Sequence, residues 1–336
     1  MSDALPSPAA GNTFSAALRE AAQRAVGVVV ELFGCLAYLK ARQRRSPAPR
    51  IALFGPAEAL AFAALAAGLV AASMILLDPL VAGLRFRLPH GLVVLSERLT
   101  DLGLGSVILW PLGLAILYLL ALSPGLGEMG RRVTASLVAR VGFLFMSIAT
   151  VGLSVSIVKY LLGRARPYAA ALLPGPDAQL TFHWLAWKSS FASFPSGHST
   201  TVFATAVAFG ALYPKARHVL LAIAVLEAST RVLLGSHYPS DVIAGASVGT
   251  AFVLVMVKVF AARRVVFAVA ADGRVHPMAG PSAHRLGHIV APSGAFSRDG
   301  HVRPAAENAP GQGPSGTAQS RAAQAGADVS VEEARP

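Results

Sequence analysis

Charge is scarce in this chain: 14% of its 336 residues are Asp, Glu, Lys or Arg, against 54% hydrophobic. That balance argues against an ordinary soluble protein and for a membrane one. Cysteine is nearly absent too. The single Cys35 has no partner for an intrachain disulfide and reads as a small apolar filler. Acidic residues are the scarcer sign, 17 Asp and Glu against 29 Lys and Arg for a net charge of +12, which suits nucleic acid or an anionic membrane face. Arg19, Arg24, Lys40, Arg42, Arg44, Arg45 and Arg50 stand just before the long apolar stretches, where a cytoplasmic membrane anchor puts them. Aromatics are few and are not interleaved with the basic runs, so nucleic acid is not an expected partner. The polar first residues do not read as a cleavable leader, and there is no internal repeat or heptad pattern.

What is present in quantity is apolar sequence. A spanning helix needs about 20 mostly apolar residues, and six segments are expected to cross: Leu60 to Leu77, Gly103 to Leu122, Leu137 to Val158, Ser199 to Tyr213, Val219 to Leu234, and Val242 to Phe260. The fold class is therefore an all-α bundle of six transmembrane helices. The fifth segment carries Glu227 and Arg231, which should face protein rather than lipid. Ala25 to Leu39 is short, holds Glu31, and sets Val26, Val29, Val30, Phe33 and Ala37 on one helical face, as in an interfacial amphipathic helix. Arg131 with Arg132, Lys215 with Arg217, and Arg263 with Arg264 all fall on the side of the N-terminal segment. The positive-inside rule makes that side cytoplasmic. Beyond Asp272 the chain turns to Ala, Gly, Pro, Ser and Gln, the composition of a largely disordered tail, although a short ordered piece around Val265 to Val275 stays open. The expected organisation is a basic cytoplasmic segment over 1–50 with its interfacial helix, a six-helix membrane domain over 51–262, and a mostly disordered cytoplasmic tail over 263–336.

Three polar motifs interrupt the apolar sequence. The first runs from Lys159 to Pro167, with Lys159 and Arg166 seven residues apart, a spacing that brings both cations to one helical face; Pro167 then helps stop the helix. Alone, it reads equally as a pair of interfacial snorkelers. The second is Pro195, Ser196, Gly197 and His198, before the fourth segment. Gly197 permits close backbone approach, Ser196 adds a hydroxyl, and a helix N-terminus adds free N–H groups for an anion, with His198 as a proton donor; a plain turn and N-cap is the alternative. The third runs from Thr230 through Arg231, Gly235, His237, Tyr238 and Pro239 to Asp241. Pro239 suits a first helical turn, which puts His237 just outside the helix and Asp241 within it. That carboxylate can accept a hydrogen bond from one imidazole nitrogen and leave the other free to attack; a structural His and Asp pair is the alternative.

Topology joins the three motifs, because all fall on the extracytoplasmic side at adjoining helix ends. Lys159, Arg166 and Arg231 supply three positive charges suited to the oxygens of a phosphoryl group. No cluster with metal-ligand spacing accompanies them, so neither a metal nor another cofactor is expected. Glu227, one turn before Arg231, can hold its guanidinium or make an ordinary polar contact. Arg140 reads as a structural partner or a snorkeler, and Phe182, Trp184, Trp187 and Phe191 as interfacial aromatics beside the site.

In these residues the chain resembles the type 2 phosphatidic acid phosphatase (PAP2) superfamily, which includes bacterial acid phosphatases and vanadium haloperoxidases. The family pattern is Lys, six residues, Arg-Pro; then Pro-Ser-Gly-His; then Ser-Arg, five residues, His, three residues, Asp. Lys159, Arg166, Pro167, Pro195, Ser196, Gly197, His198, Arg231, His237 and Asp241 match it, and Thr230 replaces the usual serine. The resemblance covers the six segments and implies a bundle of the PAP2 and haloperoxidase type. It implies that His237 attacks phosphorus to form a phosphohistidine that water hydrolyses, that His198 protonates the leaving group, and that Asp241 orients His237. Lys159, Arg166, Ser196, Gly197 and Arg231 would hold the phosphate. The expected protein is a metal-independent lipid phosphate or diphosphate phosphatase of a bacterial inner membrane, with its site on the extracytoplasmic face and the bilayer and a lipid phosphate as partners. A phosphotransferase using the same intermediate and a non-catalytic anion carrier are the alternatives. Undecaprenyl diphosphate, phosphatidylglycerol phosphate, phosphatidate and the phosphates of lipid A all stay open.

Overall fold

The structure is a computed structural model and describes residues 8–44 and 55–290, apart from 82, 174 and 176. The described residues are mostly helical: α1 (Pro8–Arg44), α2 (Pro56–Leu76), α3 (Leu84–Arg87), α4 (His90–Leu102), α5 (Gly105–Leu122), α6 (Glu128–Leu162), α7 (Pro167–Ala170), α8 (Gly197–Leu212), α9 (Arg217–Leu233), α10 (Pro239–Ala262) and α11 (Ala283–Val290), with a hairpin of β1 (Phe267–Val269) and β2 (Val275–Pro277). All six expected segments are helical. Five stretches are long and apolar enough to cross a membrane by length and composition: Arg19–Tyr38, Pro56–Leu76, His90–Gly125, Glu128–Leu162 and Pro239–Ala262. The fourth and fifth expected spans, α8 and α9, have 16 and 17 residues. At 1.5 Å per residue each extends only about 25 Å, short of a full hydrocarbon core.

Helix α8 lies at the middle of the bundle, packed against α6, α9 and α10. Two glycines of α10 let it come close: a Cβ at Gly245 would fall 2.4 Å from the Ser196 carbonyl oxygen, and one at Gly249 would fall 2.5 Å from that of Thr200. The main core joins Phe143, Ile148 and Val151 of α6 to Ala204 and Ala208 of α8 and Val253 of α10. Phe143 meets Phe260 and Phe267 edge to face, with ring centroids 5.2 and 4.9 Å away. On α2 and α5, Leu60, Leu65, Leu69, Trp110 and Leu114 point outward and exposed, as the lipid-facing side of a membrane protein requires.

Helix α1 is longer than the expected 25–39 segment. Its Val28, Glu31 and Cys35 face the ends of α5 and α6: Cys35 packs with Leu120, Ala135 and Val138, and the Glu31 carboxylate accepts from Ser123 Oγ at 2.9 Å and Arg131 Nη2 at 3.0 Å. The expected apolar stripe of Val26, Val29, Val30 and Phe33 is exposed on the opposite side.

The start of the expected disordered tail is ordered. Residues 267–277 form the hairpin, whose Phe267 joins the main core. Arg140 of α6 then donates to the carbonyls of Met278 and Ala279 at 3.0 and 2.8 Å. A buried aromatic and a clamped backbone order this piece despite its loop-like composition. The remainder of the expected tail, 291–336, lies outside the described residues.

Candidate active site

The outer end of α6 is set by Gly163. It adopts φ +62°, its N–H caps the helix on the Lys159 carbonyl at 3.1 Å, and a Cβ there would overlap the His183 carbonyl. Glycine is the residue that takes this left-handed turn without strain. The chain thus leaves the helix before Arg166, which is the N-cap of α7 with Pro167 at its first position. Lys159 and Arg166 accordingly do not share a helical face, as their spacing suggested; a turn brings Arg166 back, and Pro167 starts a short helix rather than ending α6. The Arg166 N–H donates to the Ser190 carbonyl at 2.9 Å.

Ser196 is the N-cap of α8, its Oγ accepting from Ser199 N at 3.3 Å and Ser199 Oγ at 3.0 Å. Both acceptor positions serve the cap, leaving its O–H as the group that can reach an anion. Gly197 opens the helix, and a Cβ there would lie 4.0 Å from Lys159 Nζ, so the ammonium hangs over this N-terminus. The Ser196 N–H donates to the Asp241 carbonyl at 3.0 Å, tying the second motif to the third.

His237 stands just before α10, with Tyr238 as N-cap, Pro239 first and Asp241 in the opening turn, the arrangement the Pro239 position suggested. Its Nδ1 lies 2.9 Å from the Ser193 carbonyl. A carbonyl only accepts, so Nδ1 carries the proton and Nε2 keeps its lone pair. Asp241 Oδ2 is 3.6 Å from Nδ1, beyond hydrogen-bond length. Orientation thus comes from Ser193, while Asp241 acts on the imidazole through its charge. Burial pulls His237 below its ordinary pKa of 6.5; the Asp241 carboxylate opposes this, and Arg166 and Arg231 add to it. Burial thus favours the neutral form of the ring.

His198 is partly buried, its Nε2 3.3 Å from Glu227 Oε2 and 3.5 Å from Thr100 Oγ1. Thr100 Oγ1 accepts from Arg231 Nη1 at 3.0 Å. Glu227 therefore meets His198 rather than bracing Arg231 as its spacing suggested. Gly103, in the turn between α4 and α5, lets that turn close over the histidine; a Cβ there would fall 2.2 Å from His198 Nε2.

The predicted residues thus converge. His237 lies within electrostatic range of Arg166, Arg231 and His198, and Arg166 within that of Lys159. The Nε groups of Arg166 and Arg231 are buried without a hydrogen-bond partner. Two orphaned guanidinium N–H groups beside the imidazole are an arrangement suited to an anion, since buried donors are seldom left unpaired. Among the described residues, no group of three or more His, Cys, Asp and Glu side chains is placed to hold a metal ion.

Sequence reasoning missed Asp78, Arg164, Ser193, Ser240, Thr100 and Gly103. Arg164 is wholly buried, donating to Asp241 Oδ1 at 2.6 Å, Ser240 Oγ at 2.7 Å and Asp78 Oδ2 at 2.7 Å. A signal existed for Asp78 and Thr100: residues 78–102 lie between the first two apolar segments, on the side that carries the motifs.

A model of the PAP2 superfamily matches residues 140–264, from mid-α6 to the end of α10. The chain is 41% identical over 131 residues to a protein named lipid A 1-phosphatase from Rhizobium johnstonii, covering 39% of this chain and 52% of that one. It is 36% identical over 209 residues to a lipid A 1-phosphatase of Rhizobium etli, covering 61% of this chain and 86% of that one. It thus spans about half the length of the first relative and most of the second. On this likeness the chain belongs to the PAP2 superfamily, in its membrane lipid phosphatase branch, and is a phosphoric ester hydrolase of that type.

Proposed function

We propose that the protein removes a phosphate from a lipid whose acyl chains stay in the outer half of the bilayer, through a covalent intermediate on His237 and without a metal. The relatives' names point to the 1-phosphate of lipid A as the substrate. The observation that carries the proposal is the pair of buried, unpartnered Nε groups of Arg166 and Arg231 beside a His237 whose Nδ1 is committed to Ser193. Lys159, the start of α8 and the two arginines hold the phosphate oxygens. The Nε2 lone pair of His237 forms the bond to phosphorus as the bond to the lipid oxygen breaks, and His198 gives that oxygen its proton. His198 then takes a proton from water as it attacks the phosphohistidine, releasing inorganic phosphate. Six helices cross the membrane, with the short α8 and α9 sheltered by their neighbours and the site open to the extracytoplasmic face.

The test is phosphate release from lipid A by purified protein in mixed micelles, with EDTA present. Wild type should release phosphate, and His237→Ala should lose at least about a thousandfold in rate, as loss of a nucleophile does. Activity that EDTA abolishes and zinc or magnesium restores would refute the metal-free scheme, and an active His237→Ala would refute the nucleophile. Label passing to an added acceptor lipid instead of to water would make the enzyme a phosphotransferase.

A further inference from the structure

Arg164 differs from the arginines that line the anion site. Its five N–H groups are all used inside the protein: Nη1 donates to Ser240 Oγ and Asp241 Oδ1, Nη2 to Asp78 Oδ2 and the Gln179 carbonyl, and Nε to the same carbonyl. The guanidinium also lies 4.4 Å over the Tyr238 ring. Nothing is left for a substrate phosphate. Asp78, reaching in from the turn after α2, accepts from the Ser240 N–H at 3.1 Å and from Ser240 Oγ. Asp78, Arg164 and Asp241 are each fully buried. Three ions cost more to bury than apolar side chains of the same volume, so packing alone does not account for them.

We propose that Asp78 and Arg164 are positioning residues for His237 and Asp241, with Asp78 supplying the negative charge that stops Arg164 from cancelling Asp241. This rests on His237 being the nucleophile. A lone Arg164–Asp241 pair would be neutral; with two carboxylates and one guanidinium the cluster carries one net negative charge, 3.6 Å from His237 Nδ1 through Asp241. When Nε2 bonds to phosphorus and Nδ1 keeps its proton, the imidazole becomes cationic. The cluster offsets that charge where it develops, against the opposing field of Arg166 and Arg231.

Two single substitutions and their double test this on the full-length enzyme, by the pH dependence of kcat/KM. The other charged or titratable groups acting on His237 include Asp241 on α10, Arg166 at the start of α7, Arg231 on α9 and His198 on α8, and none of them is changed. Asp78→Asn removes negative charge and should move the acid limb, where His237 gains its proton, to lower pH by about one unit, the order of effect of one charge acting through a protein interior. Arg164→Gln removes positive charge and should move the limb up by a similar amount. The double variant, with the net charge unchanged, should return it near the wild-type position. In both single variants kcat should fall by about tenfold or more while KM changes little. If Asp78→Asn folds poorly, the upward shift in Arg164→Gln carries the same test. A merely structural role would lower activity with the limb unmoved, or moved the same way in both, and either result overturns the proposal. His237→Ala serves as control: if active, the nucleophile assignment itself is wrong; if inactive with unmoved limbs, only the role of Asp78 and Arg164 falls.

Discussion

At the scale of single residues, much of the site depends on groups with no reactive atoms. Ser193 contributes a carbonyl that selects the His237 tautomer, a role invisible in a motif because any residue could supply it. Gly103 contributes only space. Its missing Cβ allows the α4–α5 turn to lie against His198 and Val202, where an added methyl would come within 2.2 and 2.7 Å of their side chains. Gly103→Ala should therefore displace the His198 ring from Glu227 and Thr100. We expect kcat to fall by about tenfold or more, with a loss of stability of about 1–3 kcal/mol for the overpacking. Steady-state kinetics with a thermal melt in detergent checks both, and unchanged kcat would show that the ring is not held by this turn.

At the scale of elements, the contact between α8 and α10 decides whether the site assembles. Helix α8 brings Ser196, Gly197 and His198, α10 brings Asp241 with His237 just ahead of it, and Gly245 and Gly249 let the two backbones approach. A Cβ at Gly249 would meet main-chain atoms, the Thr200 oxygen at 2.5 Å and the Ala204 nitrogen at 3.2 Å, and main chain cannot step aside as a flexible side chain can. Gly249→Ala should separate the helices, lowering stability by about 1–3 kcal/mol and activity with it, although position 249 is more than two helical turns from Asp241. A melting temperature and activity equal to wild type would contradict the close approach. The helices themselves were legible because their apolar runs are long. Their ends were less so: α6 stops where Gly163 turns against the His183 carbonyl, a contact that no local pattern encodes.

At the scale of the whole molecule, charge is distributed unevenly along the bundle. Arg131 with Arg132, Lys215 with Arg217, and Arg263 with Arg264 stand at one end of α6, α8, α9 and α10, and the three motifs stand at the other ends of the same helices; the positive-inside rule would make the motif end extracytoplasmic. Trp184, 72% exposed in the segment between α7 and α8, offers a check. On a Cys35→Ser background, Trp184→Cys in right-side-out membrane vesicles should react with a membrane-impermeant maleimide. Labelling that requires permeabilisation would invert the topology.

The motif residues, the apolar segments and the asymmetry of basic loops were determined by the sequence alone, because phosphate-ester chemistry needs particular side chains and crossing lipid needs long apolar runs. Lys159, Arg166, Gly197, His198, Arg231, His237 and Asp241 were all named from it. Only the tertiary structure decided which partner each acquired. Asp78 and Arg164 are 86 residues apart in sequence, Glu227 faces His198 rather than the nearer Arg231, and Asp241 holds His237 by charge across 3.6 Å rather than by a hydrogen bond. Such pairings depend on how helix ends meet in space, and the spacing within one segment carries no record of them. The three polar motifs are thus one site because the packing of α6, α8, α9 and α10 makes them one.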